Sequence, residues 1–332
     1  MQNELYHTKS AVLFLIFNRP DVTSKVFEAI RTAKPARLYI AADGPRAERA
    51  NEAALCAETR RIATEIDWDC QLQTLFRNEN LGCKNAVSSA IDWFFSKEEE
   101  GIILEDDCLP ANDFFLFCDT LLEKYRTDTR VRHISGCNLQ FGNIRGNASY
   151  YFANMTHVWG WASWRRAWKD YDKDLKRFQE EDVEKQLKKI FEDRIIVETW
   201  TEIFSMVKAD KIDTWDYQLG FTNFFNNGLT AIPNANLITN IGFRDDATHT
   251  FSADNPNANI PLGSLSEITH PVYFLSEKDA DFYTLNIDFN VEQRRAEELE
   301  EARAKARKER KLKYIIKRLF RRANKQEQDG NQ

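Results

Sequence analysis

Along the first part of the chain, short apolar runs alternate with longer segments of helical periodicity. Residues 11–17, 37–42, 70–76 and 101–104 are brief and largely apolar, the pattern of strands with both faces covered in a parallel sheet. Between them, residues 22–32 place Val22, Val26, Ala29 and Ile30 on one stripe behind Asp21 as a cap. A stretch rich in Ala, Glu and Arg runs to about residue 65. Residues 84–95 follow a polar loop at 78–82, and residues 114–125 follow Asn112 or Asp113. This alternation predicts an α/β fold with a parallel, doubly wound sheet, whose right-handed crossovers gather the strand-end loops on one edge. Arg19, Asp43, Asn80, Glu105, Asp106 and Asp107 are then expected to line one cleft.

The second half is less regular. Strands are predicted at 131–135, 150–153, 229–232 and 236–241, and helices at 181–208 and 214–225. Residues 241–250 form a polar loop hinged on Gly242, which could close over a ligand. From Val291 onward one long charged helix is expected.

Charge and composition narrow the function classes. The 332 residues are 42% apolar and 12% aromatic, as in a folded globular protein. No stretch approaches the roughly 20 apolar residues of a spanning helix. Residues 1–10 show no signal-peptide pattern, so the expected compartment is the cytosol. The six cysteines form no C-x-x-C pair and are read as reduced thiols, not zinc ligands. Net charge is −6, yet residues 303–325 hold twelve Lys/Arg and one acid, so the body is strongly acidic. That excludes the body as a nucleic-acid binder. In the tail, Leu312, Ile315, Ile316, Leu319 and Phe320 form an apolar stripe ringed by Lys313, Lys317, Arg318, Arg321 and Arg322, the pattern of a basic amphipathic helix on an anionic membrane. A coiled-coil or docking helix fits the same spacing.

The chemistry concentrates at residues 101–110, G-I-I-L-E-D-D-C-L-P. An apolar strand there delivers Glu105, Asp106 and Asp107 to the sheet edge, where they need a counter-charge. Mg²⁺ or Mn²⁺, completed by substrate phosphate oxygens, is the expected one. Neither G-x-G-x-x-G after the first strand nor a P-loop is present, so the metal would take the place of a glycine-rich phosphate cradle. The segment His157-Val158-Trp159-Gly160-Trp161 is read as a turn whose glycine admits a ligand and whose Trp161 faces a sugar. Asp216, directly after Trp215, is a helix cap or a general base. His249 is a candidate metal or diphosphate contact.

Over residues 11–250 the chain resembles GT-A nucleotide-diphospho-sugar transferases and is similar to the N-acetylglucosaminyltransferase I family. The resemblance rests on Asn18-Arg19, Asp43, Leu104-Glu105-Asp106-Asp107 with Phe114-Phe115 after it, Gly160-Trp161, and Trp215-Asp216. It implies a GT-A type, Rossmann-like mixed sheet flanked by helices, with residues 1–125 as the nucleotide-sugar half, 126–290 as the acceptor half and 291–332 as the charged helix. It implies Asp107 as metal ligand, Glu105 as donor-sugar contact with Asp106 in support, Arg19 and Asp43 at the nucleotide, Trp161 and Trp215 at the donor, and Asp216 as catalytic base. The reaction implied is inverting transfer from a nucleoside-diphosphate sugar, a UDP-sugar by expectation, to a glycan or lipid-linked glycan at the inner face of the cell membrane. The family has a second Asp where this chain has Tyr217. Three rivals remain: a sugar nucleotidyltransferase, a glycoside hydrolase using Glu105 and Asp216, and a membrane-tethered glycan-binding protein.

Overall fold

In the computed structural model, residues 5–243 and 255–329 are described, with side chains as far as residue 318. Strand β1 (Val12–Ile16) leads into helix α1 (Pro20–Ala33), and the alternation continues through β2 (Arg37–Ala42), α2 (Glu52–Ala63), β3 (Gln71–Phe76), α3 (Gly82–Lys97) and β4 (Glu100–Glu105). The elements anticipated for this half are present, their ends displaced by a residue or two. Arg19, not Asp21, occupies the cap position of α1. Pro20 opens the helix, where its missing N–H costs nothing, and Asp21 lies within the first turn.

Strand β1 pairs in parallel with β2 and β4, and β2 with β3. Alternation along β1 sends Val12, Phe14 and Ile16 to the face covered by Val26, Phe27 and Ile30 of α1. Leu13 and Leu15 face Ala90, Ile91 and Phe94 of α3 on the other side. Covering both faces is what the unbroken apolar runs require, and each such side chain is worth about 1.5–3 kcal/mol when fully buried.

The chain then runs through β5 (Cys108–Pro110), α4 (Asn112–Lys124), β6 (Val131–Ser135), β7 (Tyr150–Ala153), β8 (Trp161–Trp164) and α5 (Arg165–Trp168). After these come α6 (Glu180–Leu187), α7 (Arg194–Lys208), α8 (Asp216–Phe225), β9 (Leu229–Pro233), β10 (Ile238–Asn240), α9 (Lys278–Phe289) and α10 (Val291–Asp329). The main sheet has eight strands in the order β3-β2-β1-β4-β8-β6-β9-β7. Strand β8 lies antiparallel between β4 and β6, which makes the sheet mixed and continuous. The fold class is therefore the expected one, a Rossmann-like mixed sheet flanked by helices.

Two helical features of the second half depart from the sequence reading. The helical stretch 181–208 is two helices, because the Asp193 side chain accepts hydrogen bonds from Ile195 N and Ile196 N and so starts α7 afresh. Helix α9, weakly patterned in sequence, was not anticipated. It packs with α6, α7 and α8 around Trp200, Phe204, Phe224 and Leu285, and Val291 brings the start of α10 into the same core. Among the described residues no helix is long and apolar enough to cross a membrane.

Helix α9 is fastened by a buried carboxylate. Asp281 accepts hydrogen bonds from Asn154 N and Met155 N at 3.1 Å and from Asn154 Nδ2 at 2.8 Å. Burial pushes Asp281 up to about 6, against the pull of those N–H groups. The folded state then keeps a proton that the unfolded chain loses near the ordinary aspartate value of 3.8. This group's contribution to stability therefore falls as pH rises from about 4 to about 6. Relative to Asp281→Asn, the wild-type unfolding free energy should drop by up to about 3 kcal/mol across that window. Urea unfolding of both proteins over the pH range checks this; parallel pH profiles would refute it.

Candidate active site

The strand-end loops meet as the topology requires. Phe17-Asn18-Arg19 after β1, Asp43 after β2, and Glu105, Asp106 and Asp107 at the end of β4 line one cavity of about 570 Å³, together with Trp215 and Asp216 from the start of α8. Carboxylates from β4 and α8 thus share a single cleft, although 110 residues of chain separate Asp106 from Asp216.

The acidic triplet does not converge on a point. Alternation along β4 turns Glu105 toward the α3 face, in register with Leu15. Burial, with the charges of Asp107, Asp106 and Asp216, holds the Glu105 carboxyl well above the usual glutamate range. Asp106 and Asp107 turn the other way, and their counter-charge is Arg19. Its Nη2 donates to Asp106 Oδ1 and, at 2.9 Å, to Asp107 Oδ2. Asp106 also accepts from Phe17 N at 3.3 Å. Burial and the Asp107 charge push Asp106 up to about 6 against the pull of Arg19. Arg19, expected at the nucleotide, is committed to the acidic loop.

The Asp107 loop is held from behind by a two-stranded antiparallel ribbon of β5 and β10. Asp107 O accepts from Ile241 N at 2.9 Å. Asp43 is also partly occupied in holding backbone. It accepts from Gly44 N at 2.9 Å and from Leu81 N at 3.0 Å, while burial raises its pKa against those bonds.

The opposite wall is built from residues 213–217. Asp216 lies in the first turn of α8 and accepts from Thr214 Oγ1 and, at 2.9 Å, from its neighbour Tyr217 N. Trp215 stacks on Trp161 with ring centres 5.7 Å apart, and Trp161 stacks in turn on His133 at 5.0 Å. Trp161 is fully buried and does not line the cavity, which corrects its expected place at the donor sugar. It supports Trp215 because it belongs to β8, a strand interior to the sheet, and not to a turn. Gly160, at φ +60°, serves packing as well: a Cβ there would lie 2.4 Å from Ile238 Cδ1. Trp159, not Trp161, reaches the cavity.

Several contributors carried no readable sequence signal. Asp213 caps α3 from 130 residues away, accepting from Cys83 N and Lys84 N at 3.0 Å. Gly82 permits this with φ +76°, since a Cβ would meet the Asp213 carboxylate at 2.8 Å. Arg46 and Asn18 both donate to the buried Glu52, which ties the loops after β1 and β2 together. Only the spacing of a lone acid before Trp215 could have drawn attention to Asp213, and isolated acids are common on surfaces.

His249 lies outside the described residues. Among the described residues no group of three or more His, Cys, Asp or Glu side chains is arranged to hold a metal ion. The donor set nevertheless fits a hard cation shared with a substrate. Asp107 lines the cavity, and Mg²⁺ or Mn²⁺ needs only one or two carboxylates when phosphate and water complete its shell.

No family model matches the chain, and no curated protein matches it. Among solved structures it is similar to UDP-glucose pyrophosphorylase complexed with UDP-glucose, at 12% identity and a TM-score of 0.26 over 44% of this chain and 62% of that one. The chain thus spans less than two thirds of that protein. It is also similar to 4-diphosphocytidyl-2C-methyl-D-erythritol synthase from Anaerococcus prevotii DSM 20548, at 8% identity and a TM-score of 0.34 over 67% of this chain and 88% of that one.

The Asp213 cap makes the position of Asp216 depend on α3. Asp213→Ala should cost about 1 kcal/mol of stability, the usual worth of a capping side chain. Asp213→Asn should recover part of it. Chemical denaturation of the three proteins measures this, and equal midpoints for wild type and Asp213→Ala would remove the cap from the account of the site.

Proposed function

We propose that this chain is a metal-dependent glycosyltransferase that moves a sugar from a nucleoside-diphosphate donor, a UDP-sugar, to a glycan or lipid-linked glycan, with inversion. The reading is carried by one observation: Asp107 and Asp216, from separate elements, line the same cavity, together with Glu105.

The residues divide the work as follows. Asp107 would hold the Mg²⁺ or Mn²⁺ ion, and His249 is a further candidate. When bound, the ion neutralises negative charge on the leaving diphosphate. Arg19 fixes the Asp107 carboxylate through its bond to Oδ2. Asp43 and the loop it ties down border the end where a nucleoside would lie. Glu105 would hydrogen-bond a hydroxyl of the donor sugar. Asp216 takes the proton of the acceptor hydroxyl as that oxygen bonds to the anomeric carbon. The bond from that carbon to the diphosphate oxygen breaks on the opposite side, and its electron pair leaves with the diphosphate. Thr214 Oγ1 and Tyr217 N orient Asp216 for this role.

A sugar nucleotidyltransferase would use the same acids on a different pair of substrates, a nucleoside triphosphate and a sugar phosphate. No glycine occurs in residues 11–21, where such enzymes carry a glycine-rich loop, and that favours sugar transfer.

Thermal shift against UDP, GDP, CMP and UDP-sugars, with Mn²⁺ or EDTA, tests the donor half of the proposal. One nucleoside diphosphate should raise the melting temperature only with metal, and Asp107→Ala should abolish the rise. Asp216→Asn should keep that rise and lose about 10²- to 10⁴-fold in kcat for sugar transfer. Pyrophosphate release from a nucleoside triphosphate and a sugar phosphate, without transfer from any UDP-sugar, would assign the nucleotidyltransferase reading instead.

A further inference from the structure

Helix α10 is anchored at its start, and its described side chains from 303 to 318 stand in solvent. Val291 is fully buried in the core of the α6–α9 layer. The next turns are clamped to α7: Arg294 donates to Thr199 Oγ1 at 2.7 Å, Arg295 pairs with Asp193, and Glu298 pairs with Arg194. Beyond Arg303 those clamps cease, and every described side chain from 303 to 318 is exposed.

The last turns of that segment carry an apolar stripe. Leu312, Ile315 and Ile316 are 58%, 44% and 43% exposed, and their spacing of three and four places them on one stripe. Nine Lys/Arg and a single acid, Glu309, fall within residues 303–318. Lys311 and Lys313 flank the stripe at helical spacing, and Lys305 and Lys308 continue its line toward the anchored end. A helix left polar or charged on all sides gains nothing by extending so far from its domain, but this one keeps branched apolar side chains in water. Cations flanking an apolar stripe match a surface that is negative at its face and apolar just beneath it.

We propose that residues 303–318 of α10 dock this protein in the interface of an anionic lipid bilayer, with Leu312, Ile315 and Ile316 inserted among the acyl chains and the lysines on the headgroups. The anchored start of α10 would transmit that orientation to the body, because α7, which clamps it, packs on α8, whose first residue is Asp216. Docking does not depend on sugar transfer at the cavity. An nucleic-acid partner is less suited, since phosphate alone offers the stripe nothing.

The test is co-sedimentation of the full chain with vesicles of phosphatidylcholine alone or mixed with phosphatidylglycerol. Each cation held at an anionic surface is worth about fivefold in partitioning. The mixed vesicles should therefore bind at least about tenfold more protein, and high salt should reduce the binding. Leu312→Asp with Ile316→Asp, and separately Lys313→Glu with Lys317→Glu, should each reduce it by about tenfold or more. Both pairs lie outside the folded core, so an unchanged melting temperature verifies that the body is intact. Equal binding to both vesicle types, or none, overturns the proposal. So does binding to a duplex DNA that the aspartate pair leaves unaffected while vesicles bind no better than DNA. A dimer by sedimentation velocity that the aspartate pair abolishes, with no vesicle binding, would make α10 an interface between copies.

Discussion

The cavity depends on keeping three consecutive acids together at the end of a buried strand. Arg19 makes this possible by bridging Asp106 and Asp107 from the loop after the neighbouring strand. Burial opposes the arginine's charge, but the two carboxylates outweigh it and drive its pKa up. A buried pair of this kind gives little net stability, because desolvation consumes much of the attraction, yet removing one partner leaves the other stranded at a cost of about 3–5 kcal/mol. Its effect is therefore one of specificity. It fixes which acids face inward, and it joins the ends of β1 and β4 into one rigid rim.

The same reasoning separates the three acids by role. Backbone alternation sends Glu105 to the α3 face, where burial, with repulsion from its neighbours and from Asp216, raises its pKa. Asp106 is absorbed by Arg19 and the Phe17 N–H. Asp107 remains at the cavity with its backbone carbonyl held by the β5–β10 ribbon. Adjacent acidic residues are thus placed in three different environments.

Much of this was legible in the sequence because it follows from local periodicity. The parallel half of the sheet was visible in its apolar runs, and the meeting of Arg19, Asp43 and the acidic triplet follows from crossover handedness. The failures are non-local. Nothing within residues 157–164 distinguishes a site-lining turn from a strand that pairs with β4 and β6, which is why Trp161 is expected at the donor sugar but lies buried against Trp215. Asp193 and Asp213 act through backbone N–H groups, the first on those two and three residues on, the second on one 130 residues away. The first splits a helix that periodicity alone leaves whole. The second has a partner that no spacing rule identifies. Arg19 was recognised as belonging to the site, but its choice of partner depended on two loops meeting in space.

The short β5–β10 ribbon limits how the chain can be divided. Asp107 stands in the first third of the sequence, yet the strand that holds its loop is Ile238–Asn240, and the cap that sets the facing wall is Asp213. The stretch that supplies the strand-end loops looks from its pattern like a self-contained unit. Cut free, it would keep its apolar strands but lose the two tethers that shape the cleft. Shuffling by recombination at the midpoint would therefore yield a sheet without a site, and new specificity in such a chain has to arise by altering loops in place.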